Sequence, residues 1–287
     1  MNILLAVDGS DNSYEAVRSL KYFRRADELM LLHALDVPIP AYPMMVPEAT
    51  EELYRTVEKS MREDGQRLLD RMASLLLPGV GPVTKRLEVG SPAEVIVRKA
   101  KEGKADLILM GSRGLGMVKE HLLGSVSHRV LTLASAATCI LSTPMKALHR
   151  ILVPLESSYD AEAAVKFLST KPFREDVELT LFTVFPTTTP PWPVGLAAAI
   201  SLEKAALESA KHFLDTVGAK LTPLGYNART LAVPGSPAHM ILREAEQLRA
   251  DLILMGTHGH KGLTRAVLGS VSHALLHSAS YPILVYR

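Results

Sequence analysis

Twice in this chain a glycine, two residues, a second glycine, nine residues and then Gly-Ser-Val occur in the same order. The first run is Gly111-Ser112-Arg113-Gly114 leading to Gly124-Ser125-Val126, and the second is Gly256-Thr257-His258-Gly259 leading to Gly269-Ser270-Val271. Glycines let a backbone turn sharply and come close to a ligand. If the third glycine opens a helix, the amides of Gly124, Ser125 and Val126 offer unpaired N–H donors and the positive end of the helix dipole, which suits phosphate. Ser125 is then both N-cap and hydroxyl donor. Arg113, Lys119 and Lys261 add charge-assisted contacts, with His258 a weaker one. The plainer reading gives these glycines only to tight turns and Ser125 only to a helix cap. The same spacing intact in both halves weighs against it.

Other phosphate chemistries are poorly matched. No G-x4-G-K-[ST] occurs, and no G-x-G-x-x-G follows the first strand, so a P-loop NTPase and a dinucleotide-binding enzyme are both disfavoured. Asp8-Gly9-Ser10-Asp11-Asn12-Ser13 has some likeness to the phosphate loop of ATP pyrophosphatases but lacks its Ser-Gly-Gly start. Asp8, Asp36 and Glu120 are the candidates for a base that activates water. A carboxylate at a strand end is more often a ribose contact or a turn cap, so no catalytic residue is assigned. His128 and His273, each in Ser-Val-Ser-His, lack clustered partners and read as helix-packing residues, leaving any metal ligand unknown. Met44 and Met45 sit in a proline-rich loop beside the expected crevice, as a lid or as an apolar contact with the following helix. Arg24, Arg25 and Arg62 read as solvated helix faces.

The elements that position these loops come from an internal repeat. From Gly90 to Leu131, 22 of 42 positions equal the residue 145 further on, and the chain start, Asn2–Asp8, resembles Arg150–Glu156 at an offset of 148. The chain is therefore two domains, residues 1–146 and 147–287. In the first, Ile3–Val7 reads as a strand, and Ser10 or Asp11 caps a helix carrying Ala16, Val17, Leu20 and Phe23. Leu29–Val37 is an almost wholly apolar strand, as expected where both faces are covered. A proline-rich loop leads to a helix over Glu48–Leu77, ended by Pro78-Gly79. Then come strand Val83–Val89, a helix opened by Ser91-Pro92, strand Leu107–Met110, the glycine loop, a helix over about Ser125–Ser135, and strand Thr138–Ser142, where Cys139 is a core residue. The second half repeats every element, with a shorter second helix. Alternating strands and helices imply an α/β fold with a parallel sheet and helices on both faces. With strand order 3-2-1-4-5, the ligand crevice opens beyond strands one and four.

Composition sets the outer bounds. The chain has 287 residues, with 32 Lys+Arg against 30 Asp+Glu, so nothing marks a nucleic-acid or membrane-surface partner. One cysteine cannot form an internal disulfide, the opening apolar run is too short for a signal segment, and no run spans a bilayer; a cytoplasmic protein is expected.

Ile3-Leu4-Leu5-Ala6-Val7-Asp8-Gly9-Ser10, Leu31-Leu32-His33-Ala34, Gly90-Ser91-Pro92, Asp106–Gly111 and the doubled glycine loop together resemble the universal stress protein family in its tandem, ATP-binding form. The resemblance implies two flavodoxin-like (Rossmann-like) domains, each an open five-stranded parallel sheet of order 3-2-1-4-5. It implies ATP or another adenine nucleotide in each crevice, with Mg2+ held through the phosphates. Units pair through the fifth strand, here between the two halves of the chain or in a homodimer. On this resemblance Asp8 contacts the nucleoside, the backbone at Ala34 reads the adenine edge, and Gly111, Gly114, Gly124, Ser125 and Val126 hold ribose and phosphates. The matching positions are Glu156, Val184, Gly256, Gly259, Gly269, Ser270 and Val271. Glu156-Ser157 stands for Asp8-Gly9, Thr183 for His33, and Gly262 adds a glycine inside the spacer. The expected function is an ATP-dependent sensor or regulatory module acting on an unidentified protein partner. A slow ATPase or phosphotransfer enzyme, and a dimerisation scaffold with vestigial loops, are the alternatives.

Overall fold

The computed structural model describes residues 1–38, 47–112, 114, 123–185, 196–257, 268–278 and 280–287. The chain divides into two compact units, Met1–Pro144 and Met145–Arg287.

In the first unit, strand β1 (Asn2–Ala6) is central, and four of its five residues are buried, because strands flank it on both sides and helices cover both faces. Helix α1 (Asp11–Ser19) starts where the Ser10 hydroxyl accepts a bond from the Ser13 amide. It closes in a 3-10 turn over Leu20–Tyr22, so Phe23, expected on the helix, is extended and buried, and Arg24 and Arg25 lie beyond any helix, exposed. Arg62 does lie on an exposed helix face, paired with Glu58 at 2.7 Å. Strand β2 (Glu28–Leu35) leads to helix α2 (Pro47–Ser74), which buries Leu69 and Met72 completely; each such side chain contributes about 1.5–3 kcal/mol. Gly65 brings α2 down onto the sheet, since a β-carbon there would stand 2.7 Å from Leu87 Cδ1 and 3.0 Å from His33 Cδ2.

Strand β3 (Val83–Val89), helix α3 (Pro92–Glu102), strand β4 (Leu107–Gly111), helix α4 (Ser125–Leu133) and strand β5 (Ala137–Leu141) complete the unit. Pro92 occupies the first turn of α3, where its missing N–H costs nothing. Helix α4 stops two residues short of expectation because Ala134 turns extended. All strands pair in parallel, in the order β3-β2-β1-β4-β5. Right-handed crossovers place α1 and α2 on one face of this sheet, and α3 and α4, which pack on each other, on the opposite face.

The second unit repeats the plan with β6 (Arg150–Pro154), α5 (Ser158–Ser169), β7 (Glu178–Phe185), α6 (Leu196–Leu221), β8 (Asn227–Pro234), α7 (Pro237–Gln247), β9 (Leu252–Gly256), α8 (Ser270–Ser278) and β10 (Ile283–Tyr286). Its strand order is β8-β7-β6-β9-β10, again all parallel. Among the described residues no helix is long and apolar enough to cross a membrane.

Candidate functional site

Strand order in the first unit reverses between β1 and β4, and the carboxyl ends of those strands carry the residues singled out by the sequence. Asp8 follows β1. Its Oδ1 accepts two bonds from Ser10, from the hydroxyl at 2.6 Å and the amide at 3.0 Å, a turn built by the side chain itself. Its backbone N–H donates to the Ser13 hydroxyl, 3.1 Å away. This fixes Asp8 Oδ2 toward the glycine loop: a β-carbon on Gly114 would stand 2.6 Å from it. Gly9, at φ +82°, gives the turn the left-handed residue it needs, with Leu68 of α2 directly against it.

Gly111 ends β4 under the first turn of α1, where a β-carbon would meet Asn12 Cβ at 2.8 Å and the Ser13 nitrogen at 3.0 Å. The Asn12 amide group donates to the Ser112 hydroxyl, 3.1 Å away. The Gly124 N–H donates to the Ser112 carbonyl at 2.8 Å, and the buried Ser127 hydroxyl lies 3.0 Å from the Gly111 carbonyl and 2.9 Å from that of Ser112. The start of α4 is thereby tied to the end of β4. The N-cap of α4 is Gly124, with no side-chain capping bond, and Ser125 is the first helical residue, its side chain exposed. This corrects the expectation that Ser125 caps the helix. A glycine cap leaves the first-turn amides without a side-chain acceptor, the state in which they serve an anion. Val126 is half-buried beside it.

Ala34 lies near the end of β2, half-buried, in register with Glu88 of β3. Beside it, His33 Nδ1 is 2.7 Å from the Val7 carbonyl; a carbonyl only accepts, so Nδ1 carries the proton and ties β2 to the residue preceding Asp8. Asp36 is exposed past the end of β2. Cys139 is fully buried in β5, and burial pushes its thiol far up. Arg113, Lys119, Glu120, Met44 and Met45 lie outside the described residues, as do His258, Gly259, Lys261 and Gly262 in the second unit.

The second unit keeps the frame and changes the lining. Gly269 donates to the Thr257 carbonyl at 2.9 Å, and the Ser272 hydroxyl donates to the Gly256 carbonyl at 3.1 Å, matching Gly124 and Ser127. Ser270 is exposed at the first helical position, with Val271 half-buried after it. Val184 lies at the end of β7, in register with Val233. The loop after β6, however, is one residue shorter: Leu155, Glu156 and Ser157 stand where the first unit has Val7 to Ser10. Ser157 accepts from the Asp160 amide as the N-cap of α5, so it is the counterpart of Ser10, and Gly9 has none. Glu156 is exposed and donates its backbone N–H to Asp160 Oδ2 at 3.3 Å, the bond that Ser13 receives in the first unit.

Asp160 is the residue that sequence comparison missed. Its carboxylate lies over Gly256, occupying the place of a β-carbon there, and accepts a bond of 3.0 Å from the hydroxyl of the fully buried Tyr286. Burial, foremost, raises its carboxyl to about 6; the Glu156 charge adds to this, while the bonds from Tyr286 and the Glu156 amide lower it. The corresponding β5 residue, paired with Gly111, is Leu141. His128 is half-buried on α4, and His273 on α8 sits against His277 with ring centroids 4.3 Å apart. Among the described residues no group of three or more metal-ligating side chains is assembled.

Comparison with known proteins accounts for both units. The family model described as the universal stress protein family matches residues 1–141 and again residues 147–287. A universal stress protein of Mycobacterium tuberculosis is 25% identical over 302 residues, covering 99% of this chain and 96% of that protein. A shorter universal stress protein of Thermus aquaticus is 38% identical over 131 residues, 45% of this chain and 89% of its own. The crystal structure of a universal stress protein from Archaeoglobus fulgidus superposes with a TM-score of 0.61 at 23% identity, over 99% of this chain and 95% of that one, a likeness of fold.

Proposed function

The chain belongs to the universal stress protein family as two tandem copies of its domain, and on that premise we propose that it is an adenine-nucleotide-binding regulatory protein with ATP held in the crevice of the first unit. The observation that carries this reading is the facing pair of Asp8 Oδ2 and Gly114, together with an α4 N-terminus at Gly124 that has no side-chain cap. Asp8 presents an acceptor to ribose hydroxyls. Gly114, having no β-carbon, lets Asp8 Oδ2 come up against the loop backbone. The first-turn amides of Ser125 and Val126 face anionic oxygens. The backbone of Ala34 offers the adenine its edge, with Val7 and Asp8 held in line by His33.

ATP supplies these residues with a polyphosphate whose charge the α4 terminus complements, and Mg2+ travels on the phosphates. Regulation through occupancy is favoured over hydrolysis because Asp8, the carboxylate that faces Gly114, has its Oδ1 engaged by both donors of Ser10, an arrangement suited to holding a ligand. Calorimetric titration of nucleotide-free protein with Mg-ATP, together with mass spectrometry of any nucleotide carried through purification, tests the reading. Saturable binding that is weakened in a Gly114→Ala variant is expected. No binding at millimolar ATP, with no carried nucleotide, overturns it; phosphate release over many turnovers overturns the regulatory assignment in favour of an ATPase.

A further inference from the structure

The two crevices share a frame and differ in one buried group, and the difference bears on ligand charge. In the first unit the residue that receives the N–H of the strand-end carboxylate residue is Ser13, a neutral hydroxyl, and the β5 residue alongside Gly111 is the apolar Leu141. In the second unit those places hold Asp160 and Tyr286, with the carboxylate seated over Gly256, the first glycine of the second loop. Resting on the nucleotide reading above, we propose that Asp160, held in place by Tyr286, bars polyphosphate from the second crevice, so that the chain takes one nucleoside triphosphate, in its first unit.

Among the described residues, the groups that hydrogen-bond the Asp160 carboxylate are the Tyr286 hydroxyl from β10 and the Glu156 amide from the loop after β6, both uncharged, while the side chain of Glu156 adds a second negative charge. Among the described residues no Lys, Arg or His forms an ion pair with Asp160. An ionised carboxylate seated over Gly256 opposes the charge that the α8 terminus would otherwise attract. In surroundings of low effective dielectric such an opposition weakens phosphate binding by at least about tenfold. The same crevice also has the shorter loop, which lacks a counterpart of Gly9 and leaves Glu156 exposed.

The test is the number of Mg-ATP bound per chain, measured by calorimetry at pH 7.5 on the full-length nucleotide-free protein. The wild type is expected to bind one, and Gly114→Ala to weaken that site about tenfold or more. The double variant D160S/Y286L, which gives the second unit the residues of the first, is expected to bind two. Asp160→Asn removes the charge while keeping the shape, and it gives the same change where the double variant fails to fold. Two sites of similar affinity in the wild type overturn the inference and leave the nucleotide reading standing. A single site that stays single in both Asp160 variants overturns it as well. No site at all, or one site indifferent to Gly114→Ala, overturns the nucleotide reading for the first unit and the inference with it.

Discussion

Asp8 Oδ2 stands 2.6 Å from where Gly114 would carry a β-carbon, whereas Gly111, three residues earlier, is crowded by the backbone of Asn12 and Ser13 at 2.9 and 3.0 Å. The two glycines of one loop are thus required for different reasons. A methyl at Gly114 meets the end of a side chain, which swings aside at little cost in stability, but the displaced group is the oxygen proposed above to contact ribose. Gly114→Ala is expected to change folding stability by less than about 0.5 kcal/mol, in line with substitutions clear of the core, while weakening Mg-ATP. Gly111→Ala is expected to cost about 1–3 kcal/mol in a urea melt, because helix backbone has to move. Equal stability of the two variants counts against this division.

The Ser127 hydroxyl bridges two carbonyls at the end of β4, and Ser272 repeats one of these bonds. Ser127→Ala is expected to lower stability by about 0.5–1.5 kcal/mol. Hydrogen exchange at the amides of the first turn of α4 should rise more than exchange in β1. Uniform change across the unit argues that the hydroxyl does not anchor the helix start.

Asp160 makes stability depend on pH in the unusual direction for a carboxylate. Its carboxyl titrates at about 6 in the folded chain against an ordinary 3.8. Folding therefore takes up a proton between those values. The favourable contribution is complete below about pH 3.8, is lost as pH rises through 6, and amounts to about 3 kcal/mol. Asp27, Asp70, Glu88 and Glu102 are lowered and act in the opposite sense, so the comparison with Asp160→Asn isolates the effect. The stability of the variant relative to the wild type should climb between pH 4 and pH 7. A flat difference refutes the assignment.

Cys139 is fully buried, and the same burial holds its thiol in the protonated form. Ellman's reagent should leave the folded protein unmodified over hours and react with one thiol per chain once urea unfolds it. Prompt labelling of the native protein shows that the β5 strand opens to solvent.

Much of the frame is legible in the sequence because it rests on period and punctuation. Leu107–Gly111 and Leu252–Gly256 are identical runs that form parallel strands, buried but for the final glycine, and Pro92 and Pro237 each open a helix. The repeat doubles each signal. What escapes is one-residue geometry. Whether Gly124 or Ser125 caps α4 turns on a backbone angle, since Gly-Ser allows both. The lost counterpart of Gly9 is hidden because Glu156-Ser157 aligns with Asp8-Gly9 by position, while the capping bond shows Ser157 in the role of Ser10. Asp160 and Tyr286 are 126 residues apart, and nothing in a linear pattern of apolar residues joins them. Their encounter follows from the order of β6, β9 and β10, which places the start of α5 beside the end of the last strand.

The bond from Gly124 to Ser112 has a consequence for affinity that lies in chain statistics rather than in contacts. It fixes the two ends of the glycine loop 2.8 Å apart, and the bond from Gly269 to Thr257 fixes its counterpart at 2.9 Å. Bringing the ends of a free segment of that size together costs about 2 kcal/mol in configurational entropy. Here the strand, the helix and one serine hydroxyl have closed the ring beforehand. A ligand held by the loop meets only the entropy of the ring's interior.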